Sequence, residues 1–170
     1  YKVVANLPYY AATHIIRLFL ESPNPPELMI LMVQKEVAQR ICPSTSSGQA
    51  SKPKMSLLAI SIRFYAEPRI ISYVSKNAFW PKPKVDSAIL RITPLINTDE
   101  RLVNADKFFR IVKAGFSQPR KQLLNNFSSG LNLSKREIEK QLIVADINPK
   151  ARPSELSLEK WLFLTNHYKL

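Results

Sequence analysis

An apolar run, Val3-Val4-Ala5, stops at Asn6-Leu7-Pro8-Tyr9 and resumes at helical spacing in "ATHII". This pattern dictates a strand, a stiff turn and a helix within the first twenty residues. Lys2 to Leu7 reads as a short, buried-type strand. Ile15, Ile16, Phe19 and Leu20 recur on one helical face over Thr13 to Glu21, with Thr13 as the expected N-cap. Pro23, Pro25 and Pro26 end that helix, because each removes a backbone donor and fixes φ.

The alternation continues. Leu28 to Val33 is a second apolar strand, and Gln34 to Ile41 a short helix. The Ser/Pro-rich residues 43–54 form a loop without apolar anchors. Met55 to Tyr65 reads as helix, Arg69 to Ser75 as strand, and Ser87 to Pro94 as a closing strand. Between the last two, Pro81 and Pro83 exclude regular structure from "NAFWPKPKV". Strands alternating with helices predict an α/β fold with a largely parallel sheet.

Composition changes near residue 98. Helical stripes follow over Asp106 to Ser117, Gln118 to Phe127 and Leu158 to Tyr168. Ser134 and Glu137 form a capping box before another helix. Two domains are expected, an α/β domain over 1–98 and a small all-α domain over 99–170. The net charge of +12 and pI of about 10.0 favour a polyanionic partner over an acidic small molecule. Residues 101–153 hold eleven Lys/Arg against four Asp/Glu, so the helical part has the higher charge density and is the better phosphate-contacting surface. One cysteine, Cys42, excludes an internal disulfide and fits a reducing, cytoplasmic setting. No apolar run approaches a membrane span. His14 and His167 lack metal-ligand spacing, so both are read as structural and no metal is expected. The chain opens on Tyr1 as if inside a strand, which points to a piece of a longer protein.

Two segments can carry chemistry. Ligands of open α/β sheets sit beyond the carboxyl ends of the strands, where Asn6-Leu7-Pro8-Tyr9 falls. An amide oxygen and a backbone carbonyl there can accept hydrogen bonds from an exocyclic amine, favouring the tetrahedral nitrogen that attacks a methyl donor. Pro8 stiffens the loop and Tyr9 offers a stacking face. The same residues also suit a plain strand-to-helix turn. In "NAFWPKPKVDS", residues 77–87, Phe79 and Trp80 precede two prolines on a rigid segment, which can present a ring or merely cover the core. Taken together, Tyr9 and Phe79 suit the two sides of one base slot. In "QPRKQ", Pro119 is expected in the first turn of a helix, with Arg120 and Lys121 at its positive end, where phosphate would offset their repulsion; ordinary solvated cations are the other reading.

"NLPYY" at 6–10, "MVQKEVAQRI" at 32–41, "NAFWPKPKVDSAILRI" at 77–92, "GFSQPRKQLLNNF" at 115–127 and "INPKARPSELSLEKW" at 147–161 stand in an order that resembles the bacterial small-subunit (16S) rRNA adenine N6,N6-dimethyltransferases, the KsgA type. The resemblance spans essentially the whole chain. It implies the C-terminal half of a Rossmann-like S-adenosylmethionine-dependent methyltransferase sheet followed by an all-α rRNA-binding domain. It implies methyl transfer to two adjacent adenosines near the 3′ end of 16S rRNA, and so a role in small-subunit biogenesis. In that family's terms, Asn6, Leu7, Pro8, Tyr9 and Phe79 are the catalytic set. Asn6 also lies against the cofactor, and Tyr9 and Phe79 flank the adenine. Arg120, Lys121, Lys82 and Lys84 are the expected RNA contacts. The partner is the small ribosomal subunit, and the protein is expected to be a cytoplasmic monomer.

The chain departs from the family pattern in lacking a glycine-rich cofactor loop; Gly48, Gly115 and Gly130 stand in no G-x-G context. The usual aromatic-Gly pair before "LLAI" is replaced by Lys54-Met55. By itself the chain is therefore expected to be inactive. Two alternatives are a non-catalytic rRNA-binding assembly module and an Erm-type 23S rRNA adenine methylase.

Overall fold

The computed structural model describes residues 1–43, 54–95, 104–131 and 133–167. The chain divides into two compact units, Tyr1–Ser44 with Leu58–Asn97, and Thr45–Leu57 with Thr98–Leu170.

The first unit is built on a four-stranded sheet. Its elements are β1 (Lys2–Asn6), α1 (Ala12–Leu20), β2 (Leu28–Gln34), α2 (Lys35–Ile41), α3 (Leu57–Tyr65), β3 (Ala66–Val74), a 3-10 turn (Lys76–Ala78) and β4 (Ser87–Pro94). The sheet order is β1-β2-β4-β3. β1 and β2 pair parallel, as a strand–helix–strand crossover through α1 requires. β4 pairs antiparallel with both β2 and β3, so the expectation of a largely parallel sheet holds for one of three pairings. The reason lies in the connection. The twelve residues 75–86 hold no helix long enough for a crossover, and the chain simply reverses. The Ile70/Ser72 irregularity in the β3–β4 register kinks that pair.

β2 and β4 occupy the centre, and Met29, Leu31, Val33, Ala88, Leu90 and Ile92 are buried on them. Ile16 and Leu20 of α1, Ile41 of α2 and Ile62 of α3 join the same core. Among the described residues β1 pairs with β2 alone, and Val4 is 80% exposed in this chain. α1 begins one residue earlier than expected. Ala11 occupies the N-cap and no side chain caps it, which corrects Thr13 as the cap.

The second unit comprises α4 (Ala105–Gly115), α5 (Leu123–Gly130), α6 (Lys135–Val144), a 3-10 turn (Pro153–Glu155) and α7 (Leu158–His167). Trp161 of α7 is its central side chain, fully buried between Phe116 at 5.5 Å and the edge of Phe127 at 6.2 Å. Met55, expected from the sequence at the head of α3, belongs to this unit: it is buried, and its N–H donates to the Ser154 carbonyl at 2.8 Å. The capping box on α6 forms as expected, with Ser134 Oγ accepting from the Glu137 N–H and the Glu137 carboxylate accepting from the Ser134 N–H. Hydrogen bonding to Ser134 holds the Glu137 carboxyl below its ordinary value.

Candidate active site

The carboxyl ends of β1, β2 and β3 and the start of β4 lie along one edge of the sheet, as the pairings Asn6↔Met32, Gln34↔Ser87 and Val74↔Ser87 require. Two loops leave from this edge. One is Leu7-Pro8-Tyr9-Tyr10; the other is residues 75–86, which depart from β3 and return to β4.

Asn6 is the last residue of β1 and is exposed. The Leu7 N–H donates to the Met32 carbonyl at 3.2 Å, extending the ladder one residue past Asn6 and orienting the Leu7 peptide. The Leu7 side chain is buried, which anchors the loop from below. The Pro8 carbonyl accepts from the Ala11 N–H at 3.0 Å, closing the turn into α1. Tyr9 is half-buried, and its hydroxyl lies 2.8 Å from Oγ of Ser87, a fully buried residue. That bond ties the first loop to the root of the second. Sequence reasoning misses Ser87; a serine opening a strand carries no signal until the fold brings it to the Tyr9 hydroxyl.

The second loop is braced at its base. Ser75 Oγ accepts from the Asn77 N–H at 3.2 Å. Asp86 Oδ1 accepts from the Lys76 N–H at 3.1 Å, and the Asp86 carbonyl accepts from the Lys35 N–H at 3.0 Å. Lys35 Nζ lies 3.8 Å from Asp86 Oδ2 and 5.3 Å from the centre of the Tyr73 ring. Phe79 is half-buried and Trp80 is 95% exposed; the bond between Trp80 and Pro81 is cis. Lys82 is exposed, and Lys84 lines a cleft of about 330 Å³ together with Lys35, Lys76, Glu36 and Asp86.

Arg120 and Lys121 are also exposed, but not where helix-start spacing predicts them. Residues 118–121 form a turn closed by the Lys121 N–H on the Gln118 carbonyl at 2.9 Å, and α5 starts at Leu123 with Gln122 as N-cap. Pro119 is thus in the preceding turn, and the two cations lie outside the helix. The turn is held by Asn126, a buried residue whose Nδ2 donates to the Gly115 carbonyl and, at 3.0 Å, to the Gln118 carbonyl. His14 is exposed on α1, and His167 stacks on Phe163 with ring centres 3.9 Å apart. Among the described residues no group of His, Cys, Asp and Glu is placed to hold a metal ion, and no helix is long and apolar enough to cross a membrane.

An α/β sheet with a braced pair of aromatic loops at its carboxyl edge, followed in the chain by a basic helical unit, is of the Rossmann-like class. The chain belongs to the Ribosomal RNA adenine dimethylase family, whose model matches residues 1–169. It is 44% identical over 168 residues to Ribosomal RNA small subunit methyltransferase A of Dehalococcoides mccartyi strain BAV1, covering 99% of this chain and 55% of that protein. It is 38% identical to the protein of the same name from Bacillus pumilus, covering 96% of this chain and 56% of that one. The chain therefore spans a little over half the length of these relatives. Two solved structures share the fold. The 23S rRNA methyltransferase ErmE matches with a TM-score of 0.69 at 23% identity, over 98% of this chain and 64% of that one. A dimethyladenosine transferase from Plasmodium falciparum matches with a TM-score of 0.70 at 21% identity, over 96% of this chain and 64% of that one.

Proposed function

We propose that this chain supplies the target-base side of an S-adenosylmethionine-dependent rRNA adenine N6,N6-dimethyltransferase. Its substrate is two adjacent adenosines near the 3′ end of 16S rRNA, in the small subunit, in the cytoplasm. Residues 1–98 form the catalytic part and 99–170 the rRNA-binding part. The observation that carries this reading is the edge geometry: an exposed amide at the end of β1, followed by a ring whose hydroxyl is tied to Ser87 at the root of the second aromatic loop.

S-adenosylmethionine supplies an electrophilic methyl group on a sulfonium. This chain's residues fit one side of it only. Asn6 offers an amide at the strand end. Gly115 and Gly130 are helical, so no glycine-rich loop occurs among the described residues. The work of this chain falls on the adenine. N6 is a poor nucleophile because its lone pair is delocalised into the ring. The Asn6 amide oxygen accepts from one N6 hydrogen. In the first transfer the Leu7 carbonyl accepts from the other, and in the second the single remaining N–H bonds one of the two acceptors; the Leu7 N–H is already committed to Met32, whereas the Pro8 carbonyl is engaged by Ala11. Two acceptors pull N6 towards a tetrahedral geometry and free its lone pair, and their strength rises as positive charge develops on nitrogen. Tyr9 and Phe79 hold the base between their faces, so the nitrogen is aligned before reaction.

Methyl transfer from labelled S-adenosylmethionine should be assayed with the protein encoded by the complete reading frame, on 30S particles and on free 23S rRNA. Dimethyladenosine in 16S rRNA is the expected product. Label confined to 23S rRNA, or rRNA binding with no label at all, overturns the reading. The 44% identity to a small-subunit methyltransferase, against 23% to ErmE, favours 16S rRNA.

A further inference from the structure

Each of the two loops carries an inner ring and an outer one. Tyr9 and Phe79 are half-buried, while their neighbours Tyr10 and Trp80 are 92% and 95% exposed. An isolated exposed aromatic needs no explanation. Here the two outer rings follow directly on the two inner ones, on loops stiffened by Pro8, Pro81 and Pro83 and rooted on the same sheet edge. Neither ring covers the core of this chain, so neither adds to the packing of these residues. On a stiff loop a ring loses little entropy when something stacks on it.

We propose that Trp80 and Tyr10 form a second nucleotide subsite, which stacks the unpaired bases flanking the target adenosine while the inner rings hold the target itself. The occupant follows from the charge around Trp80. Lys82 and Lys84 stand on the same segment. Lys84 shares its cleft with Lys76 and Lys35 and with the carboxylates of Glu36 and Asp86, and Asp86 is already engaged by the Lys76 N–H and by Lys35. Aromatic faces beside an excess of cations suit a single-stranded nucleic acid, with bases on the rings and phosphates on the lysines. A hydrophobic protein surface would bury those ammonium groups at a cost. Any base can stack, so the subsite adds affinity and register without reading sequence, and it is suited to holding the second of two adjacent adenosines near the slot. This rests on the proposed function for its purpose, but its test does not need turnover.

This chain has two tryptophans, Trp80 exposed and Trp161 in the core, so in the 170-residue chain their emission can be separated. Titration with a short single-stranded RNA containing two adjacent adenosines should quench the exposed tryptophan. Inorganic polyphosphate at equal charge should leave it unquenched. A Trp80→Phe variant, in which only Trp161 emits, should show no quenching by RNA. Trp80→Ala should weaken RNA binding about fivefold or more, the scale of one lost base stack, and raise KM while kcat at saturation stays near wild type. Tyr10→Ala should act in the same direction. Wild-type emission unchanged at saturating RNA, or quenching equalled by polyphosphate, overturns the subsite. If 30S methylation persists in that case, the proposed function stands without it. If quenching occurs but no adenosine is methylated, the subsite stands and the proposed function falls.

Discussion

Asn6 and Glu137 show how much a single polar side chain depends on where the chain puts it. Asn6 is solvent-exposed, so replacing it leaves no core cavity and no buried orphan. In the proposed mechanism its contribution is to a charge that develops only during methyl transfer. Asn6→Ala should therefore lower kcat by about 10²–10³ with RNA affinity nearly unchanged, as for loss of one preorganised transition-state hydrogen bond. Single-turnover methylation alongside an RNA-binding titration separates the two effects. Turnover close to wild type would remove Asn6 from the mechanism. Glu137 acts on the fold instead. Its folded pKa lies below the ordinary 4.5 because the Ser134 hydroxyl and N–H bond its carboxylate. The capping contribution is thus fully present above about 4.5 and declines as pH falls through the lowered value. Glu137→Gln should flatten this part of the acid limb of a stability–pH curve, and unchanged curvature would contradict it.

α4 and α7 pack closely at Gly115. Gly115 closes α4 directly under the Trp161 indole, and a Cβ there would collide with the ring. On helix propensity alone, Gly115→Ala would stabilise by about 1 kcal/mol. The collision runs the other way, because Trp161 is fully buried between Phe116 and Phe127 and has nowhere to move. Overpacking of this kind costs about 1–3 kcal/mol, so the substitution should lower stability in chemical denaturation. A gain in stability would mean that the indole relaxes freely. The α6–α7 connection has a similar logic: Lys160 Nζ donates to the Ala145 and Asp146 carbonyls at 2.7 and 3.0 Å, so this lysine closes a helix end.

Over the chain as a unit, charge is what directs a polyanion. Arg120 and Lys121 project from a turn whose shape Asn126 maintains, and both are exposed. Changing both to Ala should weaken rRNA binding and reduce the log–log salt slope by about 0.7–0.9 for each phosphate left without its cation. The weakening should be nearly independent of base sequence. Methylation at saturating substrate should persist, since neither residue stands on the sheet edge that carries Asn6 and Phe79. A salt slope equal to wild type would mean that the pair faces bulk solvent in the complex.

Patterns within one element were legible in the sequence. Period two marked β4 at Ser87–Pro94 to the residue, and the S-x-x-E spacing marked the α6 cap, because both arise from neighbours a few positions apart. The Asn6–Tyr9 and Phe79 segments were visible as breaks that no helix or strand tolerates. The pairing partners were not visible. β4 runs antiparallel because of what 75–86 cannot form, and Tyr9 is placed by a serine 78 positions away. Pro119 looked like a helix start, yet the helix waits for Leu123, the first side chain in that stretch the core can bury. Local spacing determines which elements can exist; burial and hydrogen bonding between distant residues decide where they end, which edge they share and which side chains meet there.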